Sequence, residues 1–196
     1  SGSDAVAFLE VLLGARPPLV QLRAKTLDAR GTLDLLRAFR VRTRRAGVKL
    51  FANDRPDLAV LAECDGVHLG QSDLPAGEVR RCFPRLELGL STHTLDQLDE
   101  ALAARPDYVA FGPVFRTRSK HDAEPVVGLE GLRRAAERVG GQCPLVAIGG
   151  IDASNVADVA RVADLAAVIG ALVPAEAAAD AVASAALELT SAFSGG

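Results

Sequence analysis

Cysteine is scarce in this sequence, with three widely spaced thiols at Cys64, Cys82 and Cys143. An odd and scattered set of this kind matches neither a disulfide framework nor a zinc-binding motif. The three histidines are also scattered, so the sequence gives no support for a zinc site. We expect the cysteines to be buried, reduced thiols of a cytoplasmic protein.

Long hydrophobic runs and a strong net charge are also absent. No apolar stretch approaches the roughly 20 residues of a membrane-spanning helix, and the N-terminus lacks the basic and apolar segments of a secretory signal. The net charge is −3, with 24% charged and 49% apolar residues. These values are typical of a soluble globular protein and give no general reason to expect binding to nucleic acid or to a membrane.

Arginine is concentrated in one segment, residues 32–46, whose leucines and phenylalanine mark an amphipathic helix. No aromatic residues are interleaved with the arginines, a pattern that favours a solvated outer helix face over a nucleic-acid-binding patch. The arginines are Arg37, Arg40, Arg42, Arg44 and Arg45.

The most regular feature of the sequence is an alternation of short apolar runs with amphipathic segments. The apolar runs predict buried strands at residues 19–25, 48–54, 66–70, 86–91, 108–114, 144–150 and 165–171. The amphipathic segments predict helices at residues 4–14, 32–46, 55–63, 76–82, 94–104, 129–139, 154–162 and 175–193. We expect Thr94 and Ser154 to be N-caps. This order indicates parallel strands joined by crossover helices.

Two architectures fit such an order, an open doubly wound sheet and a closed barrel. The first strand is not followed by the GxGxxG loop of an open dinucleotide-binding sheet. Polar residues follow nearly every predicted strand, which favours a TIM-type (β/α) barrel formed by residues 1–196 as a single α/β domain. Such a barrel has eight strands, whereas seven are predicted here. Because the chain begins with a helix, we expect the first strand to be missing from its N-terminus.

Alternating polar residues close the first predicted strand. Gln21, Arg23 and Lys25 are spaced by two, so on a strand they would point to one side. Burying these side chains is costly unless they face a polar ligand, and an anion suits an arginine with a lysine. The alternative is an exposed strand end with solvated charges.

Carboxylates follow the next two predicted strands. Asn53 and Asp54 close one strand, and Asp73 follows the other. Magnesium prefers few carboxylates together with water and substrate phosphate oxygens. The pair therefore predicts a magnesium site for a diphosphate, with helix caps as the alternative for each aspartate.

A phosphate-binding loop is predicted after the strand at 108–114, where hydroxyls and cations cluster. They are Arg116, Thr117, Arg118, Ser119 and Lys120. The pair Gly149 and Gly150, together with Gly170, predicts backbone N–H groups that approach a second anion.

Ser91 and His93 follow the strand at 86–91 and are candidates for proton transfer or hydrogen bonding. No GxSxG motif surrounds Ser91, so a hydrolase triad is disfavoured and a hydrogen bond to an anion is the better interpretation. His93 has two interpretations, a proton shuttle and a structural histidine. We expect His68 to be a satisfied interior histidine and His121 to be a loop residue.

Several motifs in one order and spacing give the sequence a family resemblance. They are QLRAK (21–25), FANDRPDLA (51–59), DGVHLGQSDLP (65–75), GLSTH (89–93), DYVAFGPVFRTRSK (107–120), VVGLEGL (126–132) and VAIGGI (146–151). In these stretches the chain resembles the thiamine phosphate synthase family. The resemblance implies a TIM-type barrel that joins a pyrimidinylmethyl diphosphate to a thiazole phosphate and releases pyrophosphate.

The resemblance also implies roles for individual residues. In the stretch Gln21, Leu22, Arg23, Ala24 and Lys25 it places Gln21 at the pyrimidine and the two cations on the diphosphate. Asn53 and Lys120 join the diphosphate site, Asp54 and Asp73 bind Mg²⁺, and Ser91 lies beside the pyrimidine and diphosphate. The thiazole phosphate site is implied to contain Thr117, Arg118, Ser119, Gly150, Ile169 and Gly170. Arg23, Lys25, Ser91 and Lys120 are the implied catalytic residues, and a homodimer is the implied assembly.

This chain departs from the family pattern at three positions. Ser119 replaces the usual threonine and keeps the hydroxyl, whereas Gly170 replaces a common serine and keeps only the backbone N–H. Leu165 stands where a small residue is usual.

Two alternative functions compete with the synthase. A thiazole tautomerase on a similar barrel would use a histidine and would not need the magnesium carboxylates. A non-catalytic phosphate-ligand-binding module would have let the site decay. The set of Asn53, Asp54, Asp73 and Lys120 argues against both.

Overall fold

A computed structural model describes residues 2–117, 125–172 and 179–195. Within these residues, strands and helices alternate along the chain. The strands are β1 (Leu19–Leu22), β2 (Lys49–Asn53), β3 (Gly66–Leu69), β4 (Glu87–Thr92), β5 (Tyr108–Phe111), β6 (Leu145–Ile148) and β7 (Leu165–Ala167). The helices are α1 (Gly2–Gly14), α2 (Ala29–Ala46), α3 (Pro56–Leu61), α4 (Ala76–Cys82), α5 (Leu95–Ala103), α6 (Gly128–Val139), α7 (Val156–Ala160) and α8 (Ala179–Ser194), and a 3-10 helix covers Gly170–Leu172.

The chain forms two compact units, Ser1–Gly89 and Leu90–Gly196. In the first unit, β1 pairs in parallel with β2, and β2 pairs in parallel with β3. The register places Leu22 opposite Ala52 and Asn53 opposite His68. The carboxyl ends of these strands therefore lie side by side, and the segments that follow them begin at one edge.

Helix α2 makes the crossover from β1 to β2. Its N-cap Asp28 accepts a hydrogen bond from the Gly31 N–H at 2.7 Å, which satisfies a donor that a helix start leaves free. At the other end Gly47 adopts φ 69°, a left-handed conformation that glycine enters without a Cβ clash. Leu36 and Phe39 of α2 are buried, so the helix is fixed by its apolar face.

The second unit repeats the same plan. Strands β5 and β6 pair in parallel, as do β6 and β7. Thr94 caps α5 by accepting a hydrogen bond from the Gln97 N–H at 3.2 Å. Gly140 ends α6 at φ 55° and returns the chain to β6.

Strands β3 and β5 are buried along their whole length, as expected where helices cover both faces of a parallel sheet, whereas β1 and β7 are mostly half-buried. Val67 and Val109, from the first and second unit, have no exposed surface. Burying such a side chain stabilises the fold by about 1.5–3 kcal/mol relative to leaving it exposed. The continuous apolar runs of the sequence thus become the core of each unit.

The predicted alternation of strands and helices is confirmed, and so is the α/β fold class. Thr94 is the N-cap that the sequence predicted. Within the described residues the structure has the predicted number of strands, and the expectation of a further strand stays a prediction. No helix in the described parts of the chain is both long enough and apolar enough to span a membrane.

Several predicted elements differ from the structure. Strand β1 ends at Leu22 and β7 at Ala167, so both are shorter than their apolar and alternating patterns. Ser154 is not an N-cap, because its hydroxyl donates to the Asp152 carboxylate at 2.6 Å and α7 begins after Asn155. The predicted helix 175–193 is described only from residue 179 onward.

The cysteines are free thiols, as predicted, but they are not all buried. Cys64 is buried, Cys143 is half-buried and Cys82 is exposed at the end of α4. Burial raises the pKa of the Cys64 thiol to about 12. The prediction of burial was wrong for Cys82, since a cysteine in the last turn of a short surface helix need not face the core.

Candidate functional site

In the first unit, the end of β1 carries the predicted cations. Gln21 is half-buried on the strand opposite Phe51, and Leu22 is buried. Arg23 and Lys25 are exposed and follow the strand rather than lie on it. The predicted alternation along one strand face is therefore wrong for these two residues. Both still lie close enough to Asp54 for their charges to act on its carboxyl group.

The end of β2 is shaped by an unusual backbone conformation. Asp54 has φ 64°, the left-handed region that aspartate tolerates better than most residues. Its N–H donates to the His68 carbonyl at 2.9 Å, and the Arg55 N–H donates to the Asn53 carbonyl at 2.8 Å. These bonds fix Asn53 and Asp54 where β2 stops, and backbone strain of this kind is concentrated at functional sites.

The loop after β3 places the second aspartate. The Asp73 carboxylate accepts a hydrogen bond from the Gly70 N–H at 2.7 Å, and the Asp73 N–H donates back to the Gly70 carbonyl at 3.3 Å. Asp73 therefore closes its own loop. The N-caps of α3 and α4 are Arg55 and Pro75, neither with a side-chain cap, so the helix-cap interpretation is wrong for both aspartates.

The two carboxylates lie within interaction distance of each other. Burial is the main reason that the pKa of Asp54 is raised, and the neighbouring Asp73 carboxyl raises it further through a hydrogen bond and through its charge. Lys25 and then Arg23 oppose this effect by their positive charge. The structure thus brings together Arg23, Lys25, Asp54 and Asp73, and a pair of mutually repelling carboxylates is relieved by a cation between them.

The number of acidic ligands bears on which metal would fit. Among the described residues, no cluster of three or more histidine, cysteine, aspartate or glutamate side chains is arranged to hold a metal ion. A pair of carboxylates without further protein ligands fits Mg²⁺, which keeps several waters and takes oxygens from a substrate phosphate. It does not fit a structural zinc site, which needs four protein ligands.

In the second unit, the end of β4 holds Ser91 and His93. Ser91 is half-buried, and the Thr92 between them is buried with its hydroxyl donating to the Ala110 carbonyl at 3.0 Å. The Nδ1 atom of His93 lies 2.6 Å from the carbonyl oxygen of Gly112. This end of β4 is therefore fastened to the end of β5.

The loop after β5 packs against the end of β6 through two glycines. The Val114 N–H donates to the Ile148 carbonyl at 2.9 Å, and the Phe115 N–H donates to the Gly149 carbonyl at 3.0 Å. A Cβ on Gly150, which has φ 66°, would lie 2.4 Å from the Arg116 carbonyl oxygen. Glycine is therefore required there by both conformation and space.

The remaining predicted phosphate ligands lie beside these glycines. Ile148 of β6 is opposite Ala167 of β7, so the segments that follow the two strands start as neighbours. Ile169 is 57% exposed, and Gly170 begins the 3-10 helix. Thr117 is half-buried and follows Arg116.

Several predicted residues lie outside the described part of the chain. Residues 118–124 are not described, and they include Arg118, Ser119, Lys120 and His121. The predictions for these four side chains stay predictions.

Sequence reasoning missed how the predicted residues are held. The left-handed conformation of Asp54 has a weak signal, because aspartate is over-represented at such positions. The Asp73 to Gly70 bond also has one, since an aspartate three residues after a glycine is typical of a turn. The bond from His93 to Gly112 joins residues from different strands, and the sequence carries no sign of it.

A cavity of the first unit lies away from these residues. It has a volume of about 610 Å³ between α2 and α3. Its lining includes Arg37, Val41 and Leu61 and none of the predicted site residues. Of the α2 arginines, Arg44 forms an exposed pair with Glu63, as expected for a solvated helix face. Arg40 is mostly buried and pairs with Asp65 at 2.7 Å, so the predicted solvation is wrong for it.

Comparison with known proteins points in one direction. A family profile described as thiamine monophosphate synthase matches residues 1–172. The thiamine-phosphate synthase of Chloroflexus aurantiacus is 41% identical over 176 residues, covering 89% of this chain and 81% of that protein. That of Moorella thermoacetica is 45% identical over 176 residues, covering 88% and 82%. A solved structure of thiamine phosphate pyrophosphorylase from Pyrococcus furiosus superposes with a TM-score of 0.87 at 33% identity, covering 97% of this chain and 89% of that one.

Proposed function

This chain belongs to the thiamine monophosphate synthase family, and from that membership we propose its reaction and the role of each half of its site. The enzyme condenses 4-amino-2-methyl-5-pyrimidinylmethyl diphosphate with a thiazole phosphate. The bond between the methylene carbon and the diphosphate oxygen breaks, and its electron pair leaves with pyrophosphate. The thiazole nitrogen then donates its lone pair to the carbon, which gives thiamine phosphate.

One observation carries the assignment of the diphosphate site to the first unit. Asp54 and Asp73 lie together, with Arg23 and Lys25 close enough to act on the same carboxyl group. Two carboxylates beside two cations suit a ligand that is itself a diphosphate with a divalent cation, since each charge then faces its opposite. Neither the tautomerase nor the non-catalytic module needs this pairing.

The side chains of the first unit bind and balance the leaving group. Arg23 and Lys25 contact diphosphate oxygens and offset the charge that grows on pyrophosphate as the bond breaks. Asn53 donates an amide N–H to the same group, and Gln21 contacts the pyrimidine. Asp54 and Asp73 would hold Mg²⁺, which when bound neutralises part of the pyrophosphate charge. Lys120 completes this set by resemblance.

The side chains of the second unit bind the nucleophilic substrate. Gly150 and Gly170 offer backbone N–H groups to the thiazole phosphate, and Thr117 offers a hydroxyl. Ile169 lies against the same ligand, and Ser119 adds a second hydroxyl by resemblance. Ser91 donates a hydrogen bond at the pyrimidine and diphosphate. None of these groups acts as a nucleophile, because the thiazole nitrogen fills that role.

A product assay with both substrates tests the function and the metal together. Wild type is expected to form thiamine phosphate with Mg²⁺ and to lose turnover when EDTA is added. The double variant Asp54→Asn with Asp73→Asn should lower kcat/KM by about a hundredfold or more, since it removes both anionic ligands. Asp34→Asn, on the exposed face of α2, is the matched control and should behave as wild type.

The outcomes separate the two parts of the proposal. If thiamine phosphate forms equally well in EDTA, the metal assignment is wrong while the reaction stands. If no product forms under any metal condition, the reaction itself is wrong. A homodimer and a cytoplasmic location remain predictions from the resemblance.

A further inference from the structure

We propose that His93 is a positioning residue for the thiazole phosphate, which it serves by holding the Gly112 peptide through its Nδ1–H. The inference rests on the proposed function, because it assigns a task to a side chain of the second unit that the reaction scheme leaves unused. The ring nitrogen and the Gly112 oxygen are 2.6 Å apart. A histidine that merely filled space would need no such contact.

The contact fixes the tautomer of the imidazole. A carbonyl oxygen only accepts hydrogen bonds, so Nδ1 carries the proton and donates it. In the neutral ring Nε2 is then the lone-pair nitrogen. His93 therefore has one nitrogen committed to the backbone, and any part in proton transfer would fall to the other.

Both polar groups of Gly112 are held by neighbouring residues of one strand end. The Gly112 N–H donates to the Thr92 carbonyl at 3.2 Å, and its carbonyl accepts from His93. A Cβ at this position would lie 2.0 Å from the Ile148 carbonyl oxygen, so the peptide is also pressed against β6. Packing against β6 therefore fixes one side of the Gly112 peptide, and the hydrogen bond from the imidazole holds its carbonyl group.

The loop that starts at Gly112 leads directly to the proposed phosphate ligands. Val114 and Phe115 donate to the carbonyls of Ile148 and Gly149, and the Arg116 carbonyl would meet any side chain added at Gly150. Because of these backbone hydrogen bonds and close contacts, a displacement of Gly112 would also displace the backbone at Gly150. The imidazole thus sets the position of a phosphate-binding backbone that it does not itself contact.

The backbone of His93 is anchored, so its ring has a defined place to act from. Its N–H donates to the Gln97 side-chain oxygen at 2.8 Å. The Gln97 N–H in turn donates to the Thr94 hydroxyl at 3.2 Å. The Gln97 side chain thus ties the backbone of His93, the residue before the N-cap Thr94, to the first turn of α5.

Two substitutions distinguish a hydrogen bond made at the Nδ1 position from one made at the Nε2 position. An asparagine amide nitrogen stands one bond from Cγ, as Nδ1 does, so His93→Asn keeps a donor to Gly112. A glutamine amide nitrogen stands farther out, near the place of Nε2, so His93→Gln loses that donor. His93→Ala removes both groups.

The test measures steady-state kinetics with each substrate varied in turn, together with calorimetric binding of inorganic phosphate. His93→Ala and His93→Gln should raise the KM for the thiazole phosphate about tenfold. This is the effect expected when the displaced backbone loses one hydrogen bond to the charged ligand. Their KM for the pyrimidine diphosphate should stay within about twofold of wild type. His93→Asn should recover most of the loss. Phosphate affinity should fall in the same order.

The contrary results are equally specific. Activity that survives in His93→Gln and is lost in His93→Asn would overturn positioning through Nδ1, because the hydrogen bond that matters would then come from the Nε2 position. A fall in kcat with both KM values unchanged in all three variants would overturn it in favour of proton transfer, because no amide can replace the imidazole as an acid or a base. A wild-type protein that forms no thiamine phosphate would refute the proposed reaction, and the phosphate calorimetry would still test the role of His93.

Folding is controlled by a variant of the neighbouring N-cap. Thr94→Ala removes the acceptor of the Gln97 N–H and leaves the hydrogen bonds of the His93 backbone and ring, so it should lower the thermal midpoint without changing the KM for the thiazole phosphate. If Thr94→Ala raises that KM as much as His93→Ala does, the effect of His93 is general loss of structure and the inference is wrong.

Discussion

At the scale of single residues, the site depends on charges that oppose one another. Asp54 has a raised pKa because it is half-buried and beside Asp73, and Lys25 and Arg23 only partly compensate. A group arranged in this way costs the protein stability when it is ionised and alone. A bound ligand of opposite charge would offset this loss of stability. The proposed metal and diphosphate site provides such a ligand.

Thiol reactivity tests the residue environments independently of function. Cys82 is exposed, whereas Cys64 is buried with a pKa of about 12. Because the thiolate is the reactive form, Cys82 should react with a disulfide reagent at pH 8 within minutes and Cys64 only after unfolding. The measurement is the number of thiols titrated before and after adding guanidinium.

Cys82→Ser is the control for this titration. It should abolish the fast phase and leave the slow phase unchanged. A fast phase that persists even when Cys143, which is half-buried, is also replaced by serine would mean that Cys64 is accessible, contrary to the structure.

At the scale of elements, helix α2 depends on its cap. Asp28→Ala removes the acceptor of the Gly31 N–H and should lower the free energy of unfolding by about 1 kcal/mol. Asp34→Ala, at an exposed position of the same helix, is the control and should change it by less than about 0.5 kcal/mol. Urea denaturation of both variants gives the comparison, and equal losses would contradict the assigned cap.

The close approach of β5 and β6 gives a second prediction at this scale. Gly150→Ala adds a Cβ 2.4 Å from the Arg116 carbonyl at a left-handed φ, so it should destabilise the protein and weaken thiazole phosphate binding. Gly141→Ala is a matched control, because Gly141 has φ 77° and nothing within 4 Å of an added Cβ. Gly141→Ala should lower the free energy of unfolding only by the conformational strain, about 1–2 kcal/mol.

Thermal melts and phosphate calorimetry separate the two effects. The difference between the two variants measures the clash alone. If Gly141→Ala were as damaging as Gly150→Ala, conformational strain would explain both and the close approach would have no separate role.

The sequence predicted elements better than their ends. Buried strands such as β3 and β5 were recognisable because their apolar runs are continuous, and α5 because Thr94 and Gln97 are spaced as a capping box. The end of β1 was not recognisable, because the hydrogen bonding of a strand stops where its partner strand stops. The partner of β1 is β2, which ends at Asn53, and the chain turns at Asp54. Ser154 was misassigned because its hydroxyl is taken by Asp152, a choice between two local acceptors that spacing does not decide.

Residue contacts between strands were the least predictable part of the site. The sequence pointed to Asp54 and Asp73 because both follow apolar runs, and parallel strands bring such ends to one edge. It gave no means of seeing that His93 reaches Gly112. That contact depends on how the ends of β4 and β5 lie against each other, which hydrophobic periodicity does not encode.

At the scale of the whole molecule, the residues proposed for the two substrates lie mainly in different compact units. The proposed metal ligands and the cations Arg23 and Lys25 belong to the first unit, and the glycines proposed for the thiazole phosphate belong to the second. Each substrate would then be recognised mainly by one unit. Kinetics can test this division, because the two substrates are varied separately.

This division between the units predicts that each variant raises the KM for one substrate and leaves the KM for the other nearly unchanged. Arg23→Ala removes a diphosphate contact, so it should raise the KM for the pyrimidine diphosphate about tenfold or more and leave the KM for the thiazole phosphate nearly unchanged. Gly150→Ala should do the reverse. Pyrophosphate inhibition should weaken in Arg23→Ala and persist in Gly150→Ala, because the product leaves from the first unit. Equal effects of both variants on both substrates would show that recognition is shared across the chain, and the assignment of one substrate to each unit would be wrong.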